Sequence, residues 1–201
     1  MNLGVLGGTF DPPHIGHLIL AEEARLALAL GQVLFVPAGE PWRKAGRKLS
    51  PRQDSLAMVR LAVGDDPHFA VSTVETDKEG PSYTAETLAA LREQVGADSE
   101  LFFIVGQDSL ADLPNWRQPQ RIISLARLAV ATRTAWQSAQ ADALEKEVPG
   151  ISQRLVWLDM PRIDISSTAV RQRVRQGLSI RYWVPGAVEE YVRQHGLYAG
   201  G

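Results

Sequence analysis

Two hydrophobic periods alternate along this chain. Short aliphatic runs at Leu3–Leu6, Val33–Val36, Phe69–Val74, Leu101–Val105, Leu125–Ala131 and Leu155–Leu158 read as strands. Between them lie longer amphipathic stretches that predict helices. The first spans Ile15–Leu30, with Glu22, Glu23 and Arg25 on its wet face and Gly31 as its stop. Ser50-Pro51 carries the N-cap and N1 signature of a second helix, running to Val63 and ended by Gly64. Thr84–Val95 and Ser138–Glu147 follow, then a helix capped by Ile165-Ser166-Ser167-Thr168 that carries Arg171, Arg173 and Arg175. Val184-Pro185 opens the last helix, which continues through Gln194 and closes at Gly196. Near-continuous aliphatic strands alternating with helices predict an α/β fold: a Rossmann-like, doubly wound parallel sheet with a small C-terminal helical segment. We expect one domain over 1–201, with a core at 1–160 and a helical part at 161–201.

In such sheets ligands sit beyond the carboxyl ends of the strands, where strand order reverses. Glycine turns fall at two such ends, Gly7-Gly8 after the first strand and Gly106-Gln107-Asp108 after Val105, so both can face one cleft. The first is the denser in chemistry. A strand breaks into Gly7-Gly8, turn formers follow at Asp11-Pro12-Pro13, and His14 and His17 stand where the helical pattern begins. Backbone N–H groups and the positive end of a helix dipole at one spot form an anion site. An i,i+3 spacing puts both imidazoles on one face of the first turn. Phosphate contact is the reading this favours, with metal ligation by the histidine pair as the rival. Zinc usually needs a third ligand, and the other two histidines, His68 and His195, lie far along the chain. Asp11 before proline reads as a turn former.

Composition narrows the classes. A net charge of −2 argues against a nucleic-acid partner, and the absence of cysteine excludes disulfides and thiol nucleophiles and fits a reducing compartment. There is no leader pattern and no run of membrane-spanning length, so a soluble, cytoplasmic protein is the expectation. The cationic loop within Pro37–Lys48 is an ordinary solvated loop unless it overhangs the cleft.

Together, His14-Ile15-Gly16-His17 and Ile165-Ser166-Ser167-Thr168 resemble the paired H-x-G-H and I-S-S-T signatures of the nucleotidyltransferase superfamily. Within it the chain is most similar to the bacterial nicotinate-nucleotide adenylyltransferases. The match runs through Gly7 to Leu18, Phe35 to Lys44, Pro81 to Leu88, Gly106 to Trp116, Ile165 to Gly177 and the Tyr182 to Tyr198 tail. The resemblance implies a nucleotidylyltransferase fold and transfer of the adenylyl group of ATP to nicotinate mononucleotide. It implies that His14, His17 and Arg171 are catalytic, stabilising charge on the ATP phosphates. Gly8, Thr9, Phe10, His17, Gly106, Asp108, Ser167, Thr168 and Arg171 would bind ATP, with Asp108 on the ribose hydroxyls. Lys44, Tyr83, Thr84 and Trp116 would hold the mononucleotide, Trp116 by stacking on the pyridine ring. Mg2+ would be held mainly by phosphates and water. Two departures from the family pattern stand out. Pro41-Trp42-Arg43-Lys44 replaces a common Pro-Pro-His-Lys, and Arg133 precedes Thr134-Ala135 rather than proline and glycine. The rivals are the same reaction on nicotinamide mononucleotide or another phosphorylated acceptor, and a non-catalytic nucleotide-binding regulator of the same fold.

Overall fold

The protein is seen here as a computed structural model that describes residues 2–40, 49–96, 98–132 and 138–199. Its strands are β1 (Leu3–Gly8), β2 (Gln32–Pro37), β3 (Phe69–Val71), β4 (Leu101–Gly106), β5 (Arg127–Thr132) and β6 (Leu155–Asp159). Every neighbouring pair is parallel, in the order β3-β2-β1-β4-β5-β6. Leu3 pairs with Gln32 on one side and Leu101 on the other, so the order reverses at β1, between β2 and β4. This is the switch point at which ligands bind in open α/β sheets.

The helices are α1 (Ile15–Ala27), α2 (Arg52–Val63), α3 (Thr84–Val95), α4 (Gln107–Ala111), α5 (Pro119–Leu125), α6 (Ser138–Glu147), α7 (Ser167–Arg175) and α8 (Gly186–Gln194). Alternate strand residues feed two cores because successive side chains point to opposite faces. Leu101, Phe103 and Val105 pack with Leu88 and Leu91 of α3, Ile122 of α5 and Leu144 of α6. Phe102 and Ile104 pack on the other face with Ala21 and Ala24 of α1 and Val59 and Val63 of α2. A third cluster joins Met58 of α2 to Val170 of α7, Val188 and Val192 of α8, and Ile180 and Val184 between them. That cluster seats the C-terminal helices beside the start of α1, where the Ile15 N–H donates to Trp183 O at 2.9 Å.

Several boundaries differ from the sequence reading. Helix α1 stops at Ala27 instead of Leu30: Ala29 turns left-handed (φ 47°), and the Leu30 N–H returns to Arg25 O at 2.9 Å. A 6→1 bond of this kind ends a helix while its last apolar residue stays buried. Strand β3 is only three residues long. Beyond it the Thr73 hydroxyl donates to Asp77 at 2.6 Å and the Asp77 N–H to Thr73 O at 2.9 Å, a local turn that competes with the ladder. Pro51, not Ser50, is the N-cap of α2: its carbonyl accepts the first helical bonds, from the Asp54 N–H at 2.9 Å and the Ser55 N–H at 3.3 Å, while the Ser50 N–H turns away to Asp11 at 3.3 Å. Helix α5 has no counterpart in the sequence reading, and its Leu125 is helical where a strand start is expected.

Candidate active site

The connection from β1 to α1 is built tightly. A Cβ at Gly8 would stand 3.1 Å from the Phe10 ring, so glycine lets that ring fold back over the strand end. Phe10 is buried at φ 46°, a left-handed conformation that costs a non-glycine residue free energy. Its ring meets His17 edge-on at 5.0 Å and Phe35 at 5.8 Å, so the Phe10 side chain is core and only its main chain is available to a ligand.

His14 is the N-cap of α1 and His17 its N3 residue. The two imidazoles stack with centroids 3.7 Å apart, on one face as their spacing requires. The His14 N–H donates to His17 Nδ1 at 3.1 Å. An Nδ1 that accepts leaves the ring proton on Nε2, which makes that nitrogen a donor. Of the two residues between them, Gly16 has little room for a side chain: a Cβ there would lie 3.1 Å from His14 Nδ1 and 3.6 Å from Ile163.

The start of α7 is strapped onto this loop. Ser166 caps the helix, its Oγ accepting from the Ala169 N–H at 3.2 Å. The Ser167 hydroxyl donates to Pro12 O at 2.8 Å, so its proton is engaged and its main-chain N–H is what it has to offer an anion. Arg171 donates from Nη1 to Asp11 O at 2.6 Å and from Nη2 to Thr168 Oγ1 at 3.3 Å. Removing the cap in Ser166→Ala is expected to cost about 1 kcal/mol. Urea unfolding checks this, and an unchanged midpoint would count against the cap.

Asp11 is more than a turn former. Its carboxylate is 2% exposed, accepts from the Tyr198 hydroxyl at 2.6 Å and the Ser50 N–H at 3.3 Å, and lies 4.0 Å from Arg171. Burial, and then the Asp11 charge, push the Tyr198 hydroxyl well above the ordinary tyrosine range, so it stays a donor. Nothing in the local pattern at Asp11 or Tyr198 signals this contact between the two ends of the chain.

Two cavities flank the loop. One, of about 490 Å³, is lined by His14, Gly16, Gly106, Asp108, Thr132 and the segment Met160–Ile165. Gly106 caps α4 and Asp108 stands in its first turn. The other, of about 220 Å³, is lined by Gly8, Thr9, Glu75, Ser82, Thr84 and Trp116, among others. Trp116 packs edge-on against Phe103 at 6.1 Å and donates from Nε1 to Asp112 at 3.4 Å. Thr84 is the first residue of α3, whose N-terminal N–H groups are natural partners for a carboxylate. Tyr83 is the N-cap of α3, and its ring lies under the Arg117 guanidinium at 4.3 Å, outside this cavity's lining. The cavity therefore meets the Tyr83-Thr84 pair through Thr84.

The structure thus gathers Gly8, Thr9, Thr84 and Trp116 in one cavity and His14, Gly106 and Asp108 in the other, with Arg171, Thr168 and Ser167 strapped to the loop between. Lys44, Trp42, Arg43 and Arg133 lie outside the described residues. Glu75 in the smaller cavity carries no motif and was not anticipated. Among the described residues no group of three or more acidic, histidine or cysteine side chains is placed to hold a metal. Nor is any described helix long and apolar enough to cross a membrane.

A family model described as cytidylyltransferase-like matches residues 5–173. A protein of Roseiflexus sp. (strain RS-1) named probable nicotinate-nucleotide adenylyltransferase is 50% identical over 196 residues, covering 98% of this chain and 97% of that one. One of the same name from Dehalococcoides mccartyi (strain CBDB1) is 44% identical over 198 residues, with the same coverage, 98% and 97%. Among solved structures, the Plasmodium falciparum nicotinic acid mononucleotide adenylyltransferase complexed with NaAD has a similar fold, with a TM-score of 0.77. Its identity is 15%, and the match covers 98% of this chain and 97% of that one.

Proposed function

The chain belongs to the cytidylyltransferase-like family, among its nicotinate-nucleotide adenylyltransferases, and from that membership we propose how its two cavities divide one reaction. The enzyme transfers the adenylyl group of ATP to nicotinate mononucleotide, giving nicotinate adenine dinucleotide and pyrophosphate. The observation that carries the division of labour is that the Gly8–His17 loop borders both cavities. The larger, with Asp108 for ribose hydroxyls, takes ATP; the smaller, with Trp116 and the α3 N-terminus, takes the pyridine end of the mononucleotide.

The chemistry is a direct in-line displacement. A mononucleotide phosphate oxygen forms a bond to the α-phosphorus as the bond from that phosphorus to the β-bridging oxygen breaks, and pyrophosphate leaves with the electron pair. The attacking phosphate is already an anion, so no protein base or nucleophile is required. Alignment and charge stabilisation carry the rate. His17, through Nε2–H, and His14 neutralise charge developing on the phosphates, as does Arg171. The N–H groups of Ser167 and Thr168 at the α7 N-terminus hold the β- and γ-phosphates, and the Gly8–Phe10 main chain completes the cradle. Tyr83 and Thr84 offer main-chain N–H groups to the nicotinate carboxylate. Lys44 is assigned to the mononucleotide phosphate on its place in the sequence motif alone.

The described residues offer no cluster of three acidic, histidine or cysteine side chains to a metal ion. Magnesium comes in as part of the substrate, carried on the ATP phosphates and water. The third hydrophobic cluster, which fixes α7 and α8 on α2, supports treating 1–160 and 161–201 as parts of one domain. The cysteine-free composition supports the cytoplasm as its compartment.

Steady-state kinetics with the acid and the amide mononucleotide test the assignment, with Trp116→Ala beside the unaltered enzyme. The acid should be preferred, and loss of the stacking surface should raise its KM about tenfold, equivalent to roughly 1.4 kcal/mol. Equal kcat/KM for acid and amide, or a Trp116→Ala enzyme with unaltered KM for the mononucleotide, would overturn it.

A further inference from the structure

Glu75 is a carboxylate in the wall of a pocket assigned to a substrate that itself carries a carboxylate. Left ionised and unpartnered, it would repel that substrate. Its surroundings point to another task. The Thr87 hydroxyl donates to Glu75 Oε1 at 2.6 Å, and the Ser82 side chain and the Gly39 N–H also hydrogen-bond its carboxylate. These donors come from three places: Gly39 after β2, Ser82 just before α3, and Thr87 inside α3. Ser82 and Thr87 are each 7% exposed, so neither hydroxyl has solvent as an easy alternative partner.

The same three segments are knitted elsewhere. The Ser82 N–H donates to Glu40 O at 2.9 Å, and the Glu40 N–H to Ser82 Oγ at 3.4 Å. At Gly39 a Cβ would fall 2.1 Å from Glu75 O, so only glycine allows the β2 loop to lie this close to the Glu75 turn. Burial pushes the Glu75 carboxyl above the ordinary glutamate range, while the Thr87, Ser82 and Gly39 bonds pull it back. Tyr83 and Thr84 sit between Ser82 and Thr87, the two anchored positions.

We propose that Glu75 is the positioning residue of the pyridine pocket: by holding Gly39, Ser82 and Thr87 it aims the first N–H groups of α3 at the nicotinate carboxylate. This rests on the smaller cavity being the mononucleotide site. Glu75 itself touches no reacting atom, and its influence on acid-over-amide selection passes through the geometry of Thr84. An amide at that ring position gains less from the aimed N–H groups, so loss of the brace penalises the acid substrate more.

The experiment is a KM comparison in Glu75→Gln for three substrates, with melting temperature recorded alongside. Gln keeps the size but loses one acceptor oxygen and the charge. The KM for nicotinate mononucleotide should rise about tenfold, the loss of one buried acceptor, and the acid-over-amide ratio should fall by a similar factor. The KM for ATP should stay within about twofold. In a folded variant, an unchanged mononucleotide KM, a parallel rise in the ATP KM, or a lowered mononucleotide KM overturns the proposal; the last would make Glu75 only a repelling charge. Should Glu75→Gln fail to fold, Thr87→Val removes one donor from the same brace. Its mononucleotide KM should rise with the ATP KM unmoved, and no rise overturns the proposal. Trp116→Ala separates the two claims. If it raises the mononucleotide KM and Glu75→Gln does not, only the brace falls. If Trp116→Ala has no effect, the pocket assignment fails and the brace with it.

Discussion

His17→Ala is expected to lower kcat by about two to three orders of magnitude, the usual effect of removing one donor aimed at developing negative charge. The ring does two jobs that can be separated. Its Nδ1 accepts the His14 N–H at 3.1 Å and closes the start of α1, while Nε2–H is the group assigned to phosphate. Asparagine places an amide oxygen near the Nδ1 position but puts nothing at Nε2. His17→Asn should therefore recover part of the roughly 1 kcal/mol cap lost in His17→Ala, without recovering turnover. Pyrophosphate release and urea melts on the two variants are the measurements. Restored turnover in His17→Asn would reduce the imidazole to a helix cap.

Arg171→Ala should be comparably severe but with a different signature. The guanidinium is fixed before any substrate arrives, by Asp11 O at 2.6 Å and Thr168 Oγ1 at 3.3 Å. A fork held in place loses little further entropy on binding a phosphate. Its removal should lower kcat by about a hundredfold and raise the KM for ATP, leaving the KM for the mononucleotide nearly unchanged. It also strips a donor from the Asp11 carbonyl, so about 1–3 kcal/mol of stability should go with it. Arg171→Lys keeps the charge and loses the planar fork, and should fall between. Native ATP kinetics in Arg171→Ala would remove the residue from the machinery.

What could be read from the chain in advance was local in sequence. The i,i+3 histidines and the Ser166 cap each depend on residues within a turn of one another, and each stands in the structure as its spacing implies. Gly7 and Gly8, which read as a turn after the first strand, instead extend β1 and pair with Val36 and Pro37 of β2, so the turn begins only beyond them. Helix α3 also begins at Thr84 and ends at Val95, as its periodicity indicates. Features set by distant residues were not legible. Asp11 looks like a turn former because its partners lie 39, 160 and 187 positions away, at Ser50, Arg171 and Tyr198. Glu75 sits in a polar stretch just past Phe69–Val74, the run that reads as strand; the turn that shortens β3 is closed by Thr73 and Asp77. Only the fold brings Glu75 against Gly39, Ser82 and Thr87. Helix α5 was hidden for a different reason. It is a single short segment, too brief to show a period, and its one local signal is Pro119 at the first helical turn after a left-handed Gln118.

Assigning charge stabilisation alone to His14, His17 and Arg171 means that no protein atom is ever bonded to the adenylyl group. The stereochemistry at the α-phosphorus tests this most directly. ATP carrying a single sulfur of known configuration on that phosphorus is turned over with nicotinate mononucleotide, and the configuration of the dinucleotide product is determined. One in-line displacement inverts the centre, and inversion is the expected result. Retention would mean two displacements through a covalent adenylyl-enzyme, and would contradict a site that works by alignment and charge alone.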